Sequence, residues 1–167
     1  MTATLPTAAA DAFERHDGFD RTDDGFALTT TTFETRVGAG ELGDSRIAYT
    51  VTVTVPSIQT ATADEVGETV AADWLRTLRL RLEDAPMTTR APVELEEFDV
   101  GLEDGTVRVE YVFEWDDPAG AADIAKAFAE FVEGTYVEGI VPGYEYEPPV
   151  ANLLARASQG GQSGTPL

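Results

Sequence analysis

The sequence predicts an α+β fold, a two-layer sandwich with a four-stranded antiparallel sheet and its helices on one face, in the order α-ββα-ββα-α. Three observations carry that reading. Two stretches, Ile47 to Val55 and Val107 to Trp115, alternate apolar with mostly polar residues, the period of a strand buried on one side. Two others, Val66 to Leu82 and Ala121 to Val132, repeat apolar residues every three or four positions, as a helix packed on one face does. Turn residues and prolines then divide the chain into two ββα halves, which share architecture without a residue-level repeat.

Taken in order, Pro6 precedes a short helix from about Thr7 to His16, with Ala9, Ala12, Phe13 and His16 on one face. The stretch Asp17 to Gly25 breaks it. Phe26 to Val37 is threonine-rich and reads as the first strand, with a phase slip before Phe33 that suggests a bulge. Gly38 to Ser45 reads as a loop before the strand at Ile47. Thr62 and Glu65 have the spacing of a capping box, opening a helix in which Val66, Val70, Trp74, Leu78 and Leu82 share a stripe until Pro86 stops it. A weaker strand, about Val93 to Val100, leads through the turn residues Asp104-Gly105 into the strand at Val107. Asp117 then reads as an N-cap with Pro118 as the first helical residue, and Gly134 as the helix stop. Val150, Leu153, Leu154 and Ala157 make a last short helix. Residues 1–158 form one domain, and 159–167 are expected to be a flexible tail.

Charge is the unusual feature of the composition. There are 31 Asp and Glu residues against 11 Lys and Arg, a formal net charge of −20, and Lys126 is the single lysine. The acids are spread over every segment. Such a surface suits a cytoplasm of molar salt, where self-repulsion is screened, or an acidic module that binds a basic partner. Neither reading offers the basic patch that a nucleic acid needs, so no nucleic-acid partner is expected. No window reaches the length of a membrane span and the N-terminus has no signal-peptide pattern, so no membrane association and a cytoplasmic location are expected.

The chemistry-bearing residues form no motif that survives its context. With 0 cysteines, disulfides, cysteine-ligated metals and thiol nucleophiles are excluded. Gly38 to Gly43 matches G-x-G-x-x-G, but a strand follows where a dinucleotide site needs a helix N-terminus. His16 stands alone beside Glu14 and Asp17 and reads as a helix-end residue. Asp20, Asp23 and Asp24 lack the spacing of a calcium loop, and Glu94, Glu96, Glu97 and Asp99 read as a solvated face. Lys126 has Asp123 and Glu130 at helical spacing and reads as a surface residue. No catalytic, cofactor-binding or metal-ligating residue is therefore expected, and no cofactor.

Tyr136 to Pro149 is left over. Pro142-Gly143 suits a type II turn, and Tyr144 and Tyr146 then point the same way in a stretch held by Pro148 and Pro149. This segment is either a strap that packs its tyrosines on the sheet edge or a recognition patch made of Tyr136, Tyr144 and Tyr146.

Two stretches, DGFALTTTTFET and FVEGTYVEGIVPGYEYEPPVANLL, resemble a small uncharacterised haloarchaeal family over about residues 10 to 158. That resemblance implies a halophilic archaeal source and supplies no catalytic residues. The element order also resembles type III secretion chaperones, small acidic dimeric binding proteins, but lacks a third strand in the first sheet segment. The function expected is that of a non-catalytic binding or adaptor protein of a halophilic cytoplasm. Its partner would be a protein or a second copy of the chain, met through the open sheet face or the tyrosine strap. The alternative is a small enzyme or ligand carrier with a pocket between sheet and strap, lined by Trp115, Tyr111 and Tyr144.

Overall fold

The alternating run of valine and threonine in the first half of the chain becomes a central strand, and the helices are layered on its valine side. The computed structural model describes residues 5–43 and 46–163. Within them the elements are α1 (Thr7–Arg15), β1 (Phe19–Arg21), β2 (Phe26–Leu28), β3 (Glu34–Gly43), β4 (Arg46–Pro56), α2 (Ile58–Ala61), α3 (Glu68–Leu82), a 3-10 turn (Ala85–Thr88), β5 (Leu95–Glu103), β6 (Thr106–Glu114), α4 (Pro118–Glu138) and α5 (Val150–Ser163). The strands form one antiparallel sheet in the order β1-β2-β3-β4-β6-β5. The α+β class and the antiparallel sheet agree with the sequence reading. The sheet has six strands rather than four, and the element order begins α-ββββ instead of α-ββ.

The two extra strands come from the N-terminal region. Phe19–Arg21, inside the stretch read as a break, is strand β1, and its Phe19 packs edge-on against Phe13 of α1 at 4.9 Å between ring centroids. The single bulged strand expected over Phe26 to Val37 is two strands. Residues 29–33 leave the sheet between them and are held by the helical layer: Thr32 N–H donates to Glu133 at 2.7 Å, Thr30 to Glu130 at 3.2 Å, and Arg156 donates to the Thr32 hydroxyl at 2.6 Å. The glycine-rich stretch read as a loop continues β3 out to Gly43, paired residue for residue with β4 until a bulge between Glu41 and Gly43. Asp44 and Ser45, part of that expected loop, lie outside the described residues. Where β2 starts, backbones approach so closely that a Cβ on Gly25 would sit 2.2 Å from the Val37 carbonyl oxygen, so only glycine fits.

The hairpin between β5 and β6 turns at Asp104 and Gly105, both with positive φ (52° and 79°), the type I′ geometry that Asp-Gly favours. Asp117 caps α4 as its sequence position suggests, accepting from the N–H groups of Ala119 and Gly120. Three helical boundaries differ. The Thr62–Glu65 capping box does not form; Ser57 caps the unexpected short helix α2, and α3 begins later, at Glu68. Gly134 does not end α4, which runs on to Glu138, because Val132, Thr135 and Tyr136 continue its buried stripe. That burial outweighs the roughly 1 kcal/mol that a mid-helix glycine costs. Backbone beyond Ala157 stays helical to Ser163, so the first part of the expected tail is helix, and 164–167 lie outside the described residues.

The core lies between sheet and helices. Tyr49, Val51, Val53 and Val55 of β4 and Val107, Val109, Tyr111 and Phe113 of β6 are all buried, against Trp74, Leu78 and Leu82 of α3 and Ile124, Phe128, Val132 and Tyr136 of α4. Among the described residues no helix is long and apolar enough to cross a membrane.

Candidate functional site

Two surfaces came out of the sequence as candidates, the tyrosine stretch and the polar side of the strands. The structure treats them differently.

The tyrosine stretch does not hold together as one patch. Tyr136 sits in the last turn of α4 with 0% of its surface exposed. Its ring meets Phe33 and Trp74 edge-on, at 4.9 and 5.6 Å, and its hydroxyl donates to the Pro56 carbonyl at 2.9 Å. Burial pushes the hydroxyl's pKa well up, with the nearby Tyr146 adding to it. A residue so enclosed offers a partner nothing. Tyr144 and Tyr146 are half-buried, with ring centroids 6.4 Å apart, and Tyr146 donates to the Val141 carbonyl. The backbone around them is fastened to the connection between α2 and α3. The Thr62 hydroxyl donates to the Glu145 carbonyl, Asp64 accepts from Glu145 N–H at 2.7 Å, and Glu147 N–H donates to the Ala61 carbonyl at 2.8 Å. The Thr62 hydroxyl also accepts from Asp64 N–H at 3.1 Å, so it holds the strap and a local turn at once, ahead of α3, which begins at Glu68. Gly143 takes a positive φ of 99°, as position i+2 of the expected type II turn requires.

The pocket residues of the alternative reading are each occupied elsewhere. Tyr111 is fully buried, its hydroxyl donating to the Leu82 carbonyl at 2.7 Å and its ring stacked on Phe98 at 5.3 Å. Trp115 packs on the first turn of α4, where a Cβ on Gly120 would lie 2.8 Å from its indole nitrogen. It borders a shallow opening of about 360 Å³ with Glu114, Asp116 and Asp117. Tyr144 stays with the strap. Among the described residues the one carboxyl with a raised pKa is Glu96, where a hydrogen bond to Glu114 and that residue's charge favour the protonated form, and Glu96 is exposed. No group of three or more His, Asp or Glu side chains among the described residues is placed to hold a metal ion. His16 has a local role: its Nδ1 accepts from Gly18 N–H and its Nε2 faces Asp123, both at 3.0 Å, joining the end of α1 to α4. Lys126 pairs with Glu130 at 2.9 Å.

The open side of the sheet is an ordered array. The even-numbered residues of β4 and β6 point away from the helices, and the pairing register fixes their neighbours. Glu34, Thr54 and Arg108 stand in one row across β3, β4 and β6, and Arg36, Thr52 and Glu110 in the next. Gly38, Thr50 and Val112 form a third row. The charges therefore alternate in both directions, with threonines down the middle. Arg108 pairs with Glu110 along β6, and Arg36 lies 3.8 Å from Glu34 along β3. A depression of about 210 Å³ sits over these rows, bordered by Arg36, Thr50, Thr52, Arg108 and Glu110 and by Asp24 from the β1–β2 turn. Sequence reasoning expected the polar strand side to face solvent or a partner. It missed the array because Arg36 and Glu34 fell in a strand whose partner and register were not readable.

No curated protein and no solved structure matches this chain. The sequence profile of a family of unknown function, DUF5813, matches residues 14–156, which span all six strands and α4, and the chain belongs to that family.

Proposed function

We propose that the chain is a non-catalytic binding protein, an adaptor that docks a protein on its open sheet face in a salt-rich cytoplasm. One observation carries this reading. Six strands are covered by helices on one side only, and the other side keeps Arg36, Arg108, Glu34, Glu110 and three threonines in register across three strands. Arginine is enriched at protein interfaces, and a typical interface carries about ten direct hydrogen bonds, which exposed threonines and charged side chains can supply. The strap supports the same choice by default, since its tyrosine contacts are spent inside the fold.

The chain has 0 cysteines, so a single one can be placed at will. Thr52→Cys puts a photo-crosslinker on the open face, and Arg79→Cys puts one on the exposed side of α3. In cell extract kept at molar KCl, the Thr52 position should yield a defined protein adduct and the Arg79 position none. Adducts from Arg79 alone, or the same adducts from both, would overturn the sheet-face reading. The salt-rich setting rests on the net charge of −20 and the single lysine. Far-UV circular dichroism should then lose helix and strand signal as KCl is lowered from molar to millimolar. A signal that does not change removes that part.

A further inference from the structure

We propose that the open sheet face docks on the same face of a second copy of this chain, about a two-fold axis lying between the sheets and parallel to β4. The pairing rests on the sheet face being the docking surface, and it names the occupant.

The sheet's edges are unsuited to self-association. Strand β5 carries Glu96, Glu97, Asp99 and Glu103, and pairing this edge with its own copy sets carboxylates against carboxylates. Strand β1, at the other edge, is 3 residues long. The face remains, and its charge pattern complements itself. A two-fold axis along β4 keeps each row in place and exchanges β3 with β6. Arg36 of one copy then faces Glu110 of the other, and Glu34 faces Arg108, so the two rows supply four opposite-charge contacts. Thr50, Thr52 and Thr54 face their own counterparts on the axis. Asp99 stands beside Glu110 and strengthens the acidic side of its contact. In the third row Val112 faces Gly38, where nothing lies within 4 Å of a would-be Cβ, so an apolar side chain meets a hollow of matching place.

The other in-plane axis, across the strands, also brings opposite charges together in the two central rows. It sets the row of Thr50, Val112 and Glu97 against the row of Pro56, Thr106 and Glu103, which opposes Glu97 to Glu103. The axis parallel to β4 avoids that clash. Facing sheets pack about 10 Å apart, a gap that an arginine and a glutamate span together. The paired rows lie near the axis, where sheet twist displaces them least. Three strands overlap in full, about 4.8 Å apart and about eight residues long, and present on the order of 400 Å² in projection. That lies below the roughly 800 Å² per partner of stable complexes, so the expected dimer is reversible. In molar salt the Debye length falls to about 3 Å, so the long-range repulsion between two copies of charge −20 is screened while ion pairs in contact survive.

Two double variants that leave the net charge unchanged test the geometry by sedimentation velocity in molar KCl, over a range from micromolar to near-millimolar protein. Wild type should show a concentration-dependent dimer. In Glu34→Arg/Arg36→Glu the β3 charges are inverted and every cross-copy contact becomes like-charged, so association should weaken about tenfold or more. In Arg36→Glu/Glu110→Arg the facing pairs are exchanged and remain opposite, so association should stay within about threefold of wild type. All three positions, Glu34, Arg36 and Glu110, are on the solvent side of the strands, and far-UV circular dichroism confirms that each variant is folded. A monomeric wild type overturns the second copy and leaves the Thr52 crosslink free to identify a different protein on the same face. Equal behaviour of the two double variants, whether dimeric or monomeric, overturns the proposed axis and face together.

Discussion

Residues 51, 53 and 55 of β4 and residues 50, 52 and 54 alternate along a single run of valine and threonine, yet they meet different surroundings. The valines lie at 0 to 1% exposure under α4, and the threonines stand half-covered on the open side, Thr52 and Thr54 between charged neighbours. The same division runs along β6, where Val107, Val109, Tyr111 and Phe113 are buried while Arg108 and Glu110 face outward. One side obtains its energy from removing apolar area from water and from close packing, so it tolerates little change. The other side carries side chains whose exchange leaves the fold nearly untouched, which frees their pattern to serve recognition.

Substitutions can break or sharpen that contrast. The largest effect is expected at Tyr136, where Tyr136→Ala empties the contact between Phe33, Trp74 and the end of β4. Urea denaturation should show a loss of about 3–5 kcal/mol. An equally stable variant would mean that the tyrosine stretch is not part of the covered side after all.

High pH attacks the same side. Tyr49 is pushed up to about 12 by burial and by the charge of Asp117, and burial raises Tyr111 and Tyr136 as well. The fold favours the protonated phenol in each case. Their contribution is therefore complete below the ordinary tyrosine value of 10.0 and is lost as pH rises through the folded values. The denaturation midpoint should stay level through neutral pH and drop above pH 10.0. A midpoint that rises there would reverse the assignment.

A paired comparison on β4 comes next. Val53→Thr places a hydroxyl in the core and should cost about 1–3 kcal/mol, whereas Thr52→Val, one residue away, should stay within about 0.5 kcal/mol. Similar costs for the two would erase the distinction between the sides. The smallest effect concerns the strap: Thr62→Val removes the hydroxyl that holds the Glu145 carbonyl and should cost about 1 kcal/mol. Amide exchange should quicken at Glu145 and Glu147 and stay unchanged on β4. Unfolding of the whole domain instead would make the strap a structural centre.

Much of the fold is local enough to be legible. The valine–threonine alternation of β4, the Asp104-Gly105 turn and the Asp117-Pro118 start of α4 each express a period or a backbone preference that nearby residues impose, and each stands where it was expected. The polar side of the strands was legible too, as a side. Its register was not. Gly38 to Gly43 has no apolar alternation, and it is extended because β4 offers it a ladder of hydrogen bonds. Residues 29–33 leave the sheet because Glu130, Glu133 and Arg156, about a hundred or more positions later, hold them.

Competition decided the remaining differences. Thr62, locally suited to cap a helix, instead bridges the Asp64 N–H and the distant Glu145 carbonyl, and Gly134 is a fair stop overruled by the burial of Tyr136. By itself the sequence determined which residues avoid water, the main helices and central strands, and the absence of cysteine chemistry. The tertiary structure decided which strands are neighbours. Only that pairing brings Glu34, Arg36, Arg108 and Glu110 together, because the register of β4 on β6 depends on contacts between distant segments, from Pro56 with Thr106 to Ala48 with Glu114, beyond the reach of any local propensity.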